Sequence, residues 1–150
     1  MIMLGPHQSI LLVEDSPEDY ETTTRALRKA GLANPIVHCS DGDDALDFLR
    51  HQGRHAGAGR ASRPGVILLD LNLPGTDGRE VLAEVKGNDR LKQIPVIVLT
   101  TSTDDRDIQK CYLAGANSYI QKPVDLLGFI RAIQQLKDYW FEVVILPRDL

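Results

Sequence analysis

A chain of 150 residues, 43% hydrophobic and 25% charged, has the composition of one soluble globular domain with a single core. Its net charge of −4 argues against a nucleic-acid partner, because binding to a phosphate backbone requires a clustered basic face. The sequence has no apolar run of membrane-spanning length and no secretory pattern at its start. Its two cysteines lack metal-binding or redox spacing. We therefore expect a cytoplasmic protein without a membrane partner.

Five short apolar runs alternate with five longer amphipathic stretches along the chain. Several of the runs are apolar without alternation, as expected for strands buried on both faces of a parallel sheet. The predicted strands are residues 10–13, 36–39, 66–69, 96–99 and 118–120. This βα order predicts an α/β fold with a doubly wound parallel sheet and helices on both of its faces.

The predicted helices have recognisable ends. Ser16 and Pro17 open the first helix as its N-cap and first helical residue, and Gly31 closes it. The other four helices are predicted over about 43–51, directly after 77–78, over about 104–115 and from 125.

One segment interrupts this alternation. Residues 52–65 are rich in Gly, Ala, Arg and Ser, which is typical of a long loop. We expect His51 and His55 to be solvated rather than metal-binding. Three arginines, Arg54, Arg60 and Arg63, are expected to be solvated, with contact to an anionic partner as the alternative.

Polar residues directly follow four of the predicted strands. Glu14 and Asp15 follow the first, Asp70 the third and Thr100 the fourth, and Lys122 lies just beyond the fifth. Ligands of open parallel sheets bind outside the carboxyl ends of the strands, so these side chains should converge. Crowded carboxylates repel one another, and a hard divalent cation such as Mg²⁺ would relieve the repulsion. A carboxylate beside a metal ion, an ammonium and a hydroxyl has the parts needed to accept a phosphoryl group.

Four motifs carry a resemblance to a known family. They are Leu-Val-Glu-Asp-Ser at 12–16, Leu-Asp-Leu-Asn-Leu-Pro-Gly-Thr-Asp-Gly at 69–78, Leu-Thr-Thr-Ser at 99–102 and Tyr-Ile-Gln-Lys-Pro at 119–123. With their spacing they resemble the receiver domains of bacterial response regulators over residues 9–137. The resemblance implies a flavodoxin-like receiver fold with strand order 2-1-3-4-5 and five helices, in a single-domain response regulator of two-component phosphorelay signalling.

The resemblance also implies roles for individual residues. Asp70 is the phosphoryl acceptor, and Lys122 and Thr100 complete the catalytic set. Thr100 and Tyr119 form the switch: Thr100 turns to bond the phosphoryl group, and Tyr119 rotates into the vacated space. The implied Mg²⁺ ligands are Glu14, mainly through water, Asp15, Asp70 and the backbone carbonyl of Asn72.

The sequences of residues 70–75 and 141–147 are similar to those of single-domain regulators paired with phytochrome-type histidine kinases. The resemblance implies such a kinase as the partner. It also implies that the protein is not an enzyme beyond catalysing its own Mg²⁺-dependent phosphorylation and dephosphorylation. Residues 1–138 would form the receiver domain, with the long loop at 52–65. We expect the apolar tail at 139–150 to join the last helix and the fifth strand in a homodimer. The alternative is a tail folded back over its own domain.

Three other functions are less consistent with the sequence. An aspartyl-phosphate phosphatase would have its nucleophile in an Asp-x-Asp pattern after the first strand, whereas position 72 is Asn and Asp70 follows the third strand. A flavin carrier would have a phosphate-binding loop after the first strand, where Glu14 and Asp15 would repel phosphate. A receiver-like scaffold that does not accept phosphate would lack Asp70 or one of its partners Thr100 and Lys122, all of which are present.

Overall fold

Five parallel strands form one sheet in the order β2-β1-β3-β4-β5. The structure, a computed structural model, describes residues 8–57, 63–101, 104–122 and 126–138. The strands are β1 (Ile10–Val13), β2 (Ile36–Cys39), β3 (Val66–Leu69), β4 (Val96–Thr100) and β5 (Ser118–Gln121). The predicted fold class and strand order are therefore confirmed, and β4 and β5 each extend one residue beyond the predicted strand.

Helices connect successive strands. They are α1 (Pro17–Lys29), α2 (Gly42–Arg50), α3 (Gly78–Gly87), α4 (Asp105–Leu113) and α5 (Leu126–Lys137). Ser16 caps α1 as predicted, because its side chain accepts a hydrogen bond from the backbone N–H of Asp19 at 3.2 Å. The predicted fifth-helix start, Asp125, lies outside the described residues. Among the described helices, none combines the length and apolar character needed to cross a membrane.

The core lies in two layers, one on each face of the sheet. Side chains alternate between the faces along each strand, and both faces are buried, which explains the continuous apolar runs. On one face, Ile10 and Leu12 share a cluster with Leu27 of α1 and Ile133 of α5. On the other face, the cluster includes residues of α2, α3 and α4.

Strand β5 pairs with β4 and lies at an edge of the sheet. Its backbone N–H at Tyr119 donates a hydrogen bond to the hydroxyl of Tyr112, which belongs to α4, at 3.2 Å. A helix side chain therefore covers one backbone donor of an edge strand.

The described residues directly after α2 have more regular structure than their composition predicts. His51 has a left-handed backbone (φ 56°), and a short 3-10 helix follows at Gly53–His55. His55 packs its ring edge against Phe48, with ring centroids 5.1 Å apart, and its Nε2 lies 3.0 Å from Asp44 Oδ1. The prediction of a solvated His55 is wrong, because the turn at residue 51 brings the chain back along α2. His51 is half-buried rather than solvated.

Two of the three loop arginines are described. Arg54 pairs with the carboxylate of Asp44, and Arg63 donates to the backbone carbonyl of Arg90. Arg60 and the tail at 139–150 lie outside the described residues.

Candidate functional site

The predicted site residues meet at the carboxyl edge of the sheet. Backbone hydrogen bonds extend one residue beyond the strands there: Glu14 N donates to the carbonyl of Cys39 at 3.0 Å, and Asp70 N to that of Val13 at 3.1 Å. Lys122 N donates to the carbonyl of Thr100 at 2.7 Å. These bonds fix the backbone from which the functional side chains project.

Three carboxylates lie together at this edge. One oxygen each from Glu14, Asp15 and Asp70 lies within 4.8 Å of the others. Glu14 and Asp70 are buried, whereas Asp15 is exposed, so the cluster opens to solvent on one side. Oxygen ligands of this kind fit a hard divalent cation, which would also relieve their mutual repulsion. The donor set therefore suits Mg²⁺ or Mn²⁺.

Asn72, the fourth predicted metal ligand, follows Asp70 closely. Its backbone N–H donates to Asp70 Oδ1 at 3.2 Å, which orients the Asp70 carboxylate. The role of its carbonyl as a metal ligand stays a prediction.

Lys122 is the cation at the centre of the site. Its side chain is only 6% exposed, and its ammonium donates to the carboxylates of Glu14, Asp19 and Asp70, the last two at 3.0 and 3.1 Å. Burial alone would lower the pKa of Lys122, but the hydrogen bond to Glu14 and the charges of Asp70 and Glu14 raise it above its ordinary value. Lys122 is thus held protonated beside the proposed nucleophile.

The pKa of Glu14 indicates that the site holds too little positive charge for its carboxylates. Burial, together with the nearby Asp70, raises the pKa of Glu14 to about 7 against the opposing hydrogen bond from Lys122. One ammonium is therefore insufficient to neutralise the buried carboxylates.

The two predicted switch residues lie on neighbouring strands. Thr100 ends β4 and is fully buried. Tyr119 on β5 is paired in register with Val98 of β4, is partly buried, and packs against the core cluster on the α2–α4 face. Their role as a switch, and the movement it requires, stays a prediction.

Helix α3 begins directly against the backbone of Asp70. A Cβ atom at Gly78 would come within 2.2 Å of the Asp70 carbonyl oxygen and 2.6 Å of Leu71 Cα. The N–H of Gly78 donates to the carbonyl of Leu71 at 2.9 Å, and the carboxylate of Asp77 caps the helix. Glycine at position 78 allows this close contact.

One site residue was not identified from the sequence. In the sequence, Asp19 is one of two acids in the first turn of a helix, where the helix dipole favours a negative charge. In the fold, the Ser16 cap places this turn over the carboxyl edge of the sheet, so the Asp19 carboxylate reaches Lys122. The predicted cap at Ser16 indicates where this turn begins, but it does not indicate that the turn lies over Lys122.

Comparisons with known proteins agree with this geometry. The response regulator receiver domain family matches residues 10–134. The chain is 42% identical to the response regulator Rcp1 of Synechocystis sp. over 143 residues, which cover 95% of both chains. It is 44% identical over 131 residues to FilR2 of Methanothrix harundinacea, a probable methanogenesis regulatory protein; these cover 87% of this chain and 82% of FilR2.

Two solved structures are similar over nearly the whole chain. The phosphorylated cyanobacterial phytochrome response regulator RcpA is 41% identical with a TM-score of 0.88, covering 95% of this chain and 99% of RcpA. The Mn²⁺-bound form of Rcp1 is also 41% identical, with a TM-score of 0.86, covering 94% of this chain and 99% of Rcp1. With the strand order and the carboxylate cluster described above, these matches show that the chain belongs to the response regulator receiver domain family.

Proposed function

We propose that Asp70 of this chain accepts a phosphoryl group from a histidine kinase and that the phosphorylated chain signals through protein–protein contact. The observation that carries the proposal is the position of the Asp70 carboxylate, 3.1 Å from the Lys122 ammonium and beside the carboxylates of Glu14 and Asp15. A buried nucleophile thus lies next to a fixed ammonium group and next to two further carboxylates that could bind a metal ion.

The chemistry follows from these contacts. An oxygen of Asp70 would attack the phosphorus in line, the bond from phosphorus to the histidine nitrogen of the kinase would break, and an acyl phosphate would result. Lys122 would exchange its carboxylate partners for oxygens of the incoming group and stabilise their charge. The Thr100 hydroxyl would donate another hydrogen bond to these oxygens.

The carboxylates of Glu14, Asp15 and Asp70, with the carbonyl of Asn72, would hold a Mg²⁺ ion. When bound, Mg²⁺ supplies positive charge that offsets both the carboxylate repulsion and the charge of the phosphoryl oxygens. This requirement fits the raised pKa of Glu14, which reflects burial without enough compensating charge.

The output would be a population shift. Phosphorylation favours a conformer in which Thr100 and Tyr119 move inward, and this alters the surface formed by α4, β5 and α5. The partly buried position of Tyr119, beside α4, supports the proposal.

The partner kinase is proposed to be of the phytochrome type, and a cytoplasmic location goes with it. The similarity to Rcp1 and RcpA supports this partner, and the two free cysteines are consistent with a reducing compartment. Because FilR2, a probable methanogenesis regulatory protein, has a similar sequence identity, phosphotransfer from a purified phytochrome kinase is the assay that tests this choice of partner.

The central experiment is labelling with acetyl phosphate followed by intact mass measurement. We expect a gain of one phosphoryl group that requires Mg²⁺ and disappears in Asp70→Asn. Asp89→Asn, which removes a carboxylate that is 95% exposed in the α3–β4 connection, is the matched control and should label normally. Full labelling of Asp70→Asn would refute the assignment of the acceptor.

We further propose that residues 1–138 form the receiver domain and that residues 139–150 form a tail after it. The chain would form a homodimer through α5, β5 and this tail. Leu127 on α5 is 68% exposed, which supports an apolar contact there. Deletion of residues 139–150 should halve the mass measured by light scattering; an unchanged mass would contradict this interface.

A further inference from the structure

A second group of metal-ligand side chains lies around the start of α2. It comprises Cys39, the last residue of β2; Asp44, in the first turn of α2; and His55, in the 3-10 helix. We propose that Cys39, Asp44 and His55 form a binding site for a transition-metal ion of the zinc class, separate from the Mg²⁺ site at Asp70.

The distances between the donor atoms suit such an ion. The thiol sulfur, a carboxylate oxygen and an imidazole nitrogen all lie within 4.8 Å of one another. His55 Nε2 and Asp44 Oδ1 are 3.0 Å apart. Nitrogen and oxygen ligands in a tetrahedral zinc shell lie about 3.3 Å apart, so this pair needs only a small adjustment.

Three different elements hold the ligands in place. Cys39 is fully buried at the end of its strand. The His55 side chain is 11% exposed, and its ring is positioned by edge contact with Phe48. The turn that returns His55 to α2 uses two positive φ angles, at His51 and Gly53. A site with ligands held this firmly needs little reorganisation to bind an ion.

The ligand types select the class of metal. A thiolate with an imidazole and one carboxylate suits zinc and neighbouring transition metals, whereas Mg²⁺ prefers oxygen ligands alone. Three protein ligands leave the fourth tetrahedral position for water or another molecule. The two groups of side chains should therefore bind different ions in the same solution.

Arg54 would have to leave when the metal binds. It donates two hydrogen bonds to the Asp44 carboxylate, at 2.8 and 2.5 Å, and acts as the cation of the metal-free state. Its side chain is 64% exposed, so it can move into water, and an ion pair of this kind contributes little to stability. Burial, reinforced by Asp44, raises the pKa of the Cys39 thiol to about 12, so the incoming ion must displace the thiol proton to solvent. The hydrogen that His55 Nε2 donates to Asp44 must also move, either to Nδ1 of the same ring or to solvent, before Nε2 can bind the ion.

Cobalt(II) titration of the full chain, after removal of metals with a chelator, tests the proposal. The titration is made in excess Mg²⁺, which occupies the carboxylate site at Asp70. We expect one equivalent of cobalt to bind under these conditions, to produce a near-ultraviolet thiolate-to-cobalt charge-transfer band, and to be displaced by Zn²⁺. Cys39→Ser should abolish the band. Cys111→Ser, a change at the other buried cysteine, and Asp70→Asn should both retain it.

Two further variants keep the test decisive if Cys39→Ser does not fold. His55→Ala should weaken cobalt binding at least about tenfold, because a loss of this size is typical even for residues that only hydrogen-bond to a metal ligand. Arg54→Gln should strengthen binding, because it removes the competing cation. Absence of the band in the wild-type chain, its survival in folded Cys39→Ser, or an unchanged cobalt affinity in both His55→Ala and Arg54→Gln would overturn the proposal.

Discussion

The Lys122 ammonium lies 3.0 Å from the carboxylate of Asp19, so the first turn of α1 contacts the residue that follows β5. Asp19 is 48% exposed and adds a negative charge at the entrance of the site. We predict that Asp19→Asn accelerates labelling by acetyl phosphate about threefold, within the roughly 1 kcal/mol that a half-exposed ion pair contributes. Labelling rates followed by intact mass would show this.

The control for Asp19→Asn is Glu18→Gln, which makes the same charge change in the same turn at an exposed position. Equal acceleration in both variants would indicate a general charge effect, and the contact with Lys122 would then not be the cause.

Asp70→Asn should stabilise the chain in the absence of divalent cations. It removes one of three crowded carboxylates, and we expect the free energy of unfolding in urea with a chelator to rise by about 1 kcal/mol. Added Mg²⁺ should stabilise the wild-type chain more than the variant, because an ion that binds the folded state stabilises it by mass action. A variant that is less stable in chelator would contradict the proposed repulsion.

The two ends of α3 should respond oppositely to the same substitution. Gly78→Ala places a methyl group 2.2 Å from the Asp70 carbonyl oxygen, and we expect it to reduce the free energy of unfolding by about 2–4 kcal/mol. Gly87→Ala meets nothing within 4 Å and should stabilise the helix by about 0.5–1 kcal/mol. Urea unfolding of both variants compares the two ends directly, and similar effects would exclude the close contact at Gly78.

The stability contributed by Asp44 should depend on pH in a defined direction. Its hydrogen bond from Arg54, with a further one from His55, lowers the pKa of Asp44 from 3.8 to about 2. A lowered pKa in the folded state means that the ionised carboxylate stabilises the fold above pH 4, and that this contribution disappears as the pH falls toward 2.

We therefore predict that metal-free Asp44→Asn is less stable than the wild-type chain by about 1 kcal/mol at pH 7, after allowance for the exposure of Arg54. The difference should shrink between about pH 4 and pH 2. Unfolding free energies measured across this range test the prediction, with Asp89→Asn as an exposed control. A difference that stays constant with pH would show that the loss is not electrostatic.

The sheet and the main site could be predicted because local sequence determines both. Strands buried on two faces appear as continuous apolar runs such as residues 66–69, and parallel strands place the residues that follow them at one edge. Glu14, Asp70 and Lys122 therefore converge by topology alone, before any side-chain contact is considered.

Contacts made through irregular backbone could not be predicted in this way. Asp44 and His55 meet because a left-handed residue and a short 3-10 helix reverse the chain, and composition describes the same segment only as a loop. Asp19 reaches Lys122 because of the direction in which α1 leaves β1, which depends on packing against the sheet rather than on helical periodicity.

The hydroxyl of Tyr112 on α4 also has a consequence for how other chains can approach the sheet. Because it accepts the outward N–H of Tyr119, a strand from another molecule cannot pair with β5 at this residue until α4 shifts. Main-chain pairing with β5 in the resting form must therefore bypass this residue, whereas displacement of Tyr112 would expose the backbone donor of Tyr119. Access to the edge of the sheet is thus coupled to the position of one helix.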